Sequence, residues 1–194
     1  MKRLFALLLC LGLLLTGCSE KPPAFKSTDI SGVDWGKDFA LTDHTGQPRR
    51  LADYRGKAVV LFFGFTQCPD VCPTTLSAMR ETIKLLGEDG KRVQVLFVTL
   101  DPARDTTALL AQYVPQFDPG FVGLRGDDAA IAALAKDFKV FYSKQPGKTP
   151  DSYSIDHSTG SYAFDPQGRL RLLLRHGEDP ANIAADLKLL LAGK

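Results

Sequence analysis

An excess of charge of either sign is the first thing missing from this chain, in which 24 Lys and Arg stand against 22 Asp and Glu. Lys2 and Arg3 open a leader, and without them the basic count equals the acidic 22, so no basic footprint for nucleic acid remains. Internal repeats are absent. No apolar run is a comfortable membrane span either, because the Leu-rich segment after Arg3 is too short. Cysteine is scarce, with four residues in 194. Cys10 lies within the leader and Cys18 at its end, which leaves Cys68 and Cys72 as the free sulfur chemistry of the mature protein.

The leader has a charged head, an apolar body and small residues in Leu15-Thr16-Gly17-Cys18. That is the pattern of a secretory signal ending in a bacterial lipobox, with cleavage before Cys18 and lipid attachment to its sulfur. A plain signal peptide or an uncleaved anchor is the alternative. The expected organisation is a signal over 1–17, a lipidated Cys18 with a Pro-containing tether over 18–31, and one domain over 32–194. The domain is then held at the cell membrane, lipid-anchored on the periplasmic side, although Ser19 is not the aspartate associated with inner-membrane retention. In that compartment a disulfide persists, so a free dithiol needs a metal or a dedicated reductant to stay reduced.

The rest of the chain is organised around Phe62 to Thr75. Ala58-Val59-Val60-Leu61-Phe62-Phe63 reads as a strand buried on both faces. Pro73 suits the first turn of a helix that carries Leu76, Met79, Ile83 and Leu86 at helical spacing. Cys68 and Cys72 therefore sit just before or within that first turn, where unpaired N–H groups and the helix dipole favour a thiolate. A separation of four lets the sulfurs bond each other, as a Cys68–Cys72 disulfide, or clasp one soft metal ion. Gly64, Pro69 and Pro73 make this a shaped loop, which argues against a pair of inert core cysteines.

Around this unit, Phe39 to Leu51 contains a turn at Asp43-His44-Thr45-Gly46 and predicts a small β-hairpin, with His44 a solvated surface imidazole. Strand 58–65, helix 73–86 and strand 93–100 form a right-handed βαβ crossover. Asp101 ends the second strand, and Asp105 or Thr106 caps the next helix, which Pro115 stops. A short apolar piece at 121–124 precedes a helix from about Asp128 to Phe138. Val140 to Ile155 is either a long flexible connection or an inserted hairpin. Ser161–Asp165 and Arg169–Leu174 flank Pro166-Gln167-Gly168 as a hairpin. A last helix starts at Pro180, with His176 a surface residue just before it. The element order is that of an α/β thioredoxin-like fold, a central mixed β-sheet flanked by helices, with an N-terminal β-hairpin.

Four blocks carry a family resemblance: Phe63-Gly64-Phe65-Thr66-Gln67-Cys68-Pro69-Asp70-Val71-Cys72-Pro73-Thr74-Thr75-Leu76, Val98-Thr99-Leu100-Asp101-Pro102-Ala103-Arg104-Asp105-Thr106, Ile155-Asp156-His157-Ser158, and Ala163-Phe164-Asp165-Pro166-Gln167-Gly168-Arg169-Leu170. In this order they resemble the Sco/SenC family of copper-handling thioredoxin-fold proteins. The resemblance implies Cys68 and Cys72 as thiolate ligands of copper, Cu(I) or Cu(II), and His157 as the nitrogen ligand. Asp156 is given a supporting role, orienting an imidazole or bonding nearby backbone. Many members have His where this chain has Gln67, a position outside the family's ligand set. Zinc could use the same donors, but a structural zinc site is closed by a fourth ligand that the sequence does not offer.

The resemblance implies a metallochaperone that delivers copper to the copper-bearing subunit of cytochrome c oxidase, with another copper donor or a thiol reductant as a further partner. The competing reading is an enzyme, a thiol-disulfide oxidoreductase acting on the acceptor's cysteines. Against it stand three residues between the cysteines, where thioredoxins have two, and the lack of a proline directly before the Ser161 strand. A thiol peroxidase is third, since the resemblance runs to the copper proteins throughout.

Overall fold

The computed structural model describes residues 24–149 and 152–194. The leader, Cys18 and the first part of the expected tether lie outside the described residues. Among the described residues ten strands form: β1 (Thr28–Asp29), β2 (Ala40–Asp43), β3 (Pro48–Arg50), β4 (Ala58–Gly64), β5 (Val93–Thr99), β6 (Val122–Arg125), β7 (Tyr142–Pro146), β8 (Tyr153–His157), β9 (Ser161–Phe164) and β10 (Leu170–Leu174). The helices are α1 (Val71–Leu86), α2 (Thr107–Tyr113), α3 (Asp128–Asp137) and α4 (Pro180–Leu191).

Eight strands make one mixed sheet in the order β1-β10-β9-β4-β5-β6-β2-β3. The middle strands β4, β5 and β6 run parallel, and β9 joins β4 antiparallel. Every residue of β4 and β5 is buried, which is why β4 reads as an unbroken apolar run and β5 as an apolar run interrupted only by Gln94 before it ends at Thr99. One face packs Val60, Phe62 and Phe97 against Leu76 and Met79 of α1, Leu110 of α2 and Leu187 of α4. The other packs Leu61, Phe63 and Val98 against Ile131, Leu134 and Phe138 at α3. Helices thus cover both faces in the expected thioredoxin-like arrangement, and the N-terminal hairpin β2–β3 is joined to the sheet through β6.

Two expectations need correction. The segment over 18–31 is not free throughout: Lys26 and Ser27 donate their N–H groups to Asp186 of α4 at 2.9 and 2.8 Å, and Thr28–Asp29 pairs with β10. Asp186 is wholly buried, so it closes this end of the chain onto the domain before residue 32. His44 is half-buried and not solvated, because its N–H donates to the Gly123 carbonyl and its Nδ1 accepts the Gly123 N–H at 2.9 Å. Of the two expected caps of α2, Thr106 is the one used, accepting the Leu109 N–H, while Asp105 is buried and turned toward Thr66 and Thr99.

Between residues 140 and 155 the hairpin alternative is the one the chain adopts. β7 and β8 pair with each other, Tyr142 opposite His157 and Pro146 opposite Tyr153, as a separate two-stranded sheet. His176 is exposed at the turn before α4, as expected, with Nδ1 3.1 Å from the Thr75 hydroxyl.

Removing the Asp186 carboxylate leaves two backbone donors without an acceptor. Asp186→Ala is expected to cost about 1–3 kcal/mol, the range for orphaning buried hydrogen-bonding groups. Chemical denaturation gives that cost, and faster amide exchange at Lys26 and Ser27 locates it. Unchanged exchange there would mean that β1 pairing alone holds the segment.

Candidate metal centre

The parallel strands bring the site together at their carboxyl ends. β4 finishes at Gly64, and the chain turns through Phe65 to Asp70 into the first turn of α1, placing Cys68 ahead of the helix and Cys72 inside it. The antiparallel register sets Phe62 of β4 opposite Ser161, the first residue of β9. Residues just before Ser161 therefore arrive at the same end of the sheet as residues just after Gly64. This is how His157, 85 positions from Cys72, comes to face it. It does so as the last residue of β8, and not from a loop.

The Cys68 and Cys72 sulfurs and a His157 ring nitrogen lie within 4.8 Å of one another. Cys72 Sγ is 3.7 Å from His157 Nε2. Cys68 Sγ accepts the Cys72 N–H at 3.4 Å. Both cysteines are free thiols, Cys68 partly exposed and Cys72 fully buried. His157 Nδ1 lies 2.8 Å from the Ser158 carbonyl oxygen, and a carbonyl only accepts, so Nδ1 carries the proton and Nε2 turns its lone pair to the sulfurs. Phe62 and Phe65 meet the imidazole edge-on, with centroids 6.3 and 6.0 Å away.

These contacts revise two expectations. Asp156 does not orient the ring, since Ser158 holds Nδ1; Asp156 is exposed and acts on His157 only as a weak nearby charge. The helix terminus does not leave Cys72 a ready thiolate. Burial pushes its thiol well above the ordinary range, against a smaller lowering by the Phe65 backbone. A cation brought to the sulfur supplies the charge that the dipole cannot.

Burial also lowers the His157 pKa, and the Ser158 carbonyl and Asp156 oppose it only in part. On acidification the unfolded chain takes this proton first, so stability falls from about pH 6.5 downward until the folded ring protonates too. The ring is expected to titrate below about 6.5 in NMR spectra of the metal-free protein. A midpoint at or above that value would mean that water reaches the imidazole.

Several site features were not legible in advance. Asp105 accepts from the Thr66 N–H at 3.0 Å and from the Thr66 and Thr99 hydroxyls at 2.5 and 2.6 Å, which ties the cysteine loop to the end of β5. Its burial raises its pKa despite those bonds. The signal was present in the Asp101–Thr106 block, but a bond between residues 39 apart has no local signature. Gly64 is required on steric grounds, because a Cβ there would stand 2.7 Å from Cys72 Sγ and 2.8 Å from the Phe97 ring. Gly64→Ala is expected to cost about 1–3 kcal/mol, as overpacking does, and to weaken metal binding by displacing the sulfur. Thermal melting and a competing chelator read the two effects. An unaltered metal affinity would show that the sulfur has room to move.

A mixed sheet with two thiols and a histidine gathered at the N-terminus of its crossover helix defines a thioredoxin-like protein with a candidate soft-metal centre. The sequence profile of the SCO1/SenC family matches residues 27–192, and the chain belongs to that family. It is 41% identical over 133 residues to the mitochondrial protein SCO2 homolog of Mus musculus, covering 68% of this chain and 52% of the mouse protein. This chain thus spans about half the length of that relative. The structure of Bradyrhizobium japonicum ScoI with copper bound superposes with a TM-score of 0.73 at 38% identity, covering 79% of this chain and 97% of that one. BsSco, a member of the Sco family of cytochrome c oxidase assembly proteins, shares the fold with a TM-score of 0.65 at 22% identity, over 87% of this chain and 98% of its own.

Proposed function

We propose that this chain is a copper metallochaperone, exported and held on the periplasmic side of the cell membrane through lipid on Cys18. It binds copper through Cys68, Cys72 and His157, and passes it to the copper-bearing subunit of cytochrome c oxidase during assembly of that centre. The observation that carries the reading is the convergence of two sulfurs and an imidazole nitrogen within 4.8 Å. Two thiolates and an imidazole form a soft donor set suited to Cu(I) and able to hold Cu(II). Among the described residues no other His, Cys, Asp or Glu joins the group, so the set lacks the fourth ligand of a closed structural zinc site.

Copper is cargo here, and the arrangement suits both its uptake and its release. The metal displaces the proton that burial otherwise keeps on Cys72, so binding releases acid into solvent. Cys68 is the partly exposed donor, the one an acceptor's thiolate reaches first in a ligand exchange. The same exposed-and-buried pair supports a second reading as thiol-disulfide oxidoreductase, with Cys68 attacking and Cys72 resolving. Both can hold in one protein, because a Cys68–Cys72 disulfide consumes two donors and sheds the metal.

Copper titration of the reduced domain alongside an insulin-reduction assay separates the readings. The reduced form is expected to bind copper and the disulfide form to bind it poorly. In His157→Ala, Cu(II) affinity is expected to fall more than about 100-fold, beyond the loss of an outer partner, with both thiols still titratable and oxidase maturation impaired in cells. Cu(II) binding and oxidase assembly that both survive the substitution would hand the site to the reductase reading. Labelled fatty acid retained by Cys18→Ala would end the lipid-anchor claim.

A further inference from the structure

Among the described residues the histidine arm has no backbone ladder to the main sheet. β7 and β8 hydrogen-bond only to each other as strands, whereas the cysteines leave directly from β4, the buried centre of the eight-stranded sheet. Ile155 enters the core on the α1 side, but an apolar contact sets distance loosely. Something directional has to fix where His157 stands relative to the sulfurs.

The turn after β5 supplies that direction, and it reaches both halves of the site. The Tyr153 hydroxyl donates to Asp101 Oδ1 at 2.6 Å. Arg104 Nε pairs with the other oxygen of the same carboxylate, and Arg104 Nη1 donates to the Tyr153 carbonyl at 2.8 Å. The guanidinium also lies over the Tyr153 ring, 3.5 Å from its centroid. Asp101 is wholly buried and Arg104 is 15% exposed, so water competes little for these bonds. Tyr153 opens β8, the strand that His157 closes. On its other side the turn holds Thr66, two residues before Cys68, through Asp105.

We propose that the 101–105 turn is a clamp that sets the separation between the cysteine loop and the histidine arm, with Asp101, Arg104 and Tyr153 as positioning residues for the third donor. Arg104 is its centre, because one planar guanidinium bonds the carboxylate, bonds the Tyr153 backbone and stacks on the Tyr153 ring at once. A lysine offers a single point charge and no stacking plane. Loosening the clamp frees β8 to move away from α1 while the two cysteines stay where β4 and α1 hold them. The effect on metal is therefore selective: Cu(II), which needs the nitrogen donor, is weakened, and Cu(I), which two thiolates can hold, is largely spared.

The inference rests on the copper reading only for that metal probe, so a metal-free measurement accompanies it. Tyr153→Phe removes one hydroxyl and keeps the ring, while Arg104→Lys and Arg104→Ala remove the planar group. In the reduced metal-free protein, amide exchange across β8 is expected to accelerate in the order Tyr153→Phe, Arg104→Lys, Arg104→Ala, with nuclear Overhauser contacts between the His157 and Phe65 rings weakening in parallel. With Cu(II), affinity and thiolate-to-copper absorption are expected to fall about 10- to 100-fold in Arg104→Ala, the loss typical of removing an outer partner. Cu(I) affinity is expected to change less than about threefold, and Cys68 and Cys72 to react with a thiol reagent as before. Arg104→Lys is expected to fail as a rescue. Unchanged β8 exchange and ring contacts in both Tyr153→Phe and Arg104→Lys would overturn the clamp. So would equal losses of Cu(II) and Cu(I) binding in folded Arg104→Ala, because a general disturbance does not discriminate between them. If the parent protein binds no copper, the copper reading falls, and exchange and ring contacts still decide the clamp.

Discussion

The sulfur of Cys72 is sealed from water between strand β4, Phe97 and the first turn of α1, and the other parts of the site are arranged around that burial. A buried thiol resists ionisation, and no nearby side chain of this chain offers a compensating charge. A positive charge brought to the sulfur would favour its thiolate. Gly64 follows from the same burial, since the strand must approach the sulfur without a side chain. Burial also disfavours a charged His157, and a neutral ring with Nδ1 bonded to a carbonyl offers Nε2 as a donor.

The three candidate donors differ in how they are held, and the difference bears on the proposed cargo role. Cys72 is fixed by a helix and a central strand. Cys68 sits in a loop with its sulfur near the surface, tied to the fold through Thr66 and Asp105. His157 stands on a hairpin outside the main sheet, connected to it by side chains. A closed structural centre would hold all of its ligands alike. Unequal retention leaves one donor buried, one reachable and one on an arm, an arrangement consistent with taking up a metal and giving it up again.

Buried polar groups make the connections that apolar packing cannot. Asp43, Asp101, Asp105, Asp165 and Asp186 are all buried, and each accepts from two or more donors. Asp43 illustrates the local version. Within its own turn it accepts from Thr45, Gln47 and Arg49, which hold its carboxyl down to about 2 against the opposing effect of burial. Asp101, Asp105 and Asp186 accept hydrogen bonds across long sequence separations. They join the β8 arm, the cysteine loop and the N-terminal segment to the body of the domain.

What the sequence by itself determined was everything whose cause is local. The buried strand β4 is an unbroken apolar run and β5 a largely apolar one, α1 has its stripe of Leu76 and Met79, and the β9–β10 turn has its Pro166-Gln167-Gly168, because each pattern is set within a few residues. Motif blocks added which cysteines and which histidine to watch. Only the tertiary structure decided that His157 meets Cys72, since that depends on the register of β9 against β4, and a register is a relation between two strands that neither one spells out. It also decided that Cys72 is buried so that its thiol is hard to ionise, that His44 is tied to Gly123, and that of Asp105 and Thr106 the second caps the helix while the first holds Thr66. Each of these depends on which groups water can reach and which distant partner stands nearby, and the folded chain alone sets both.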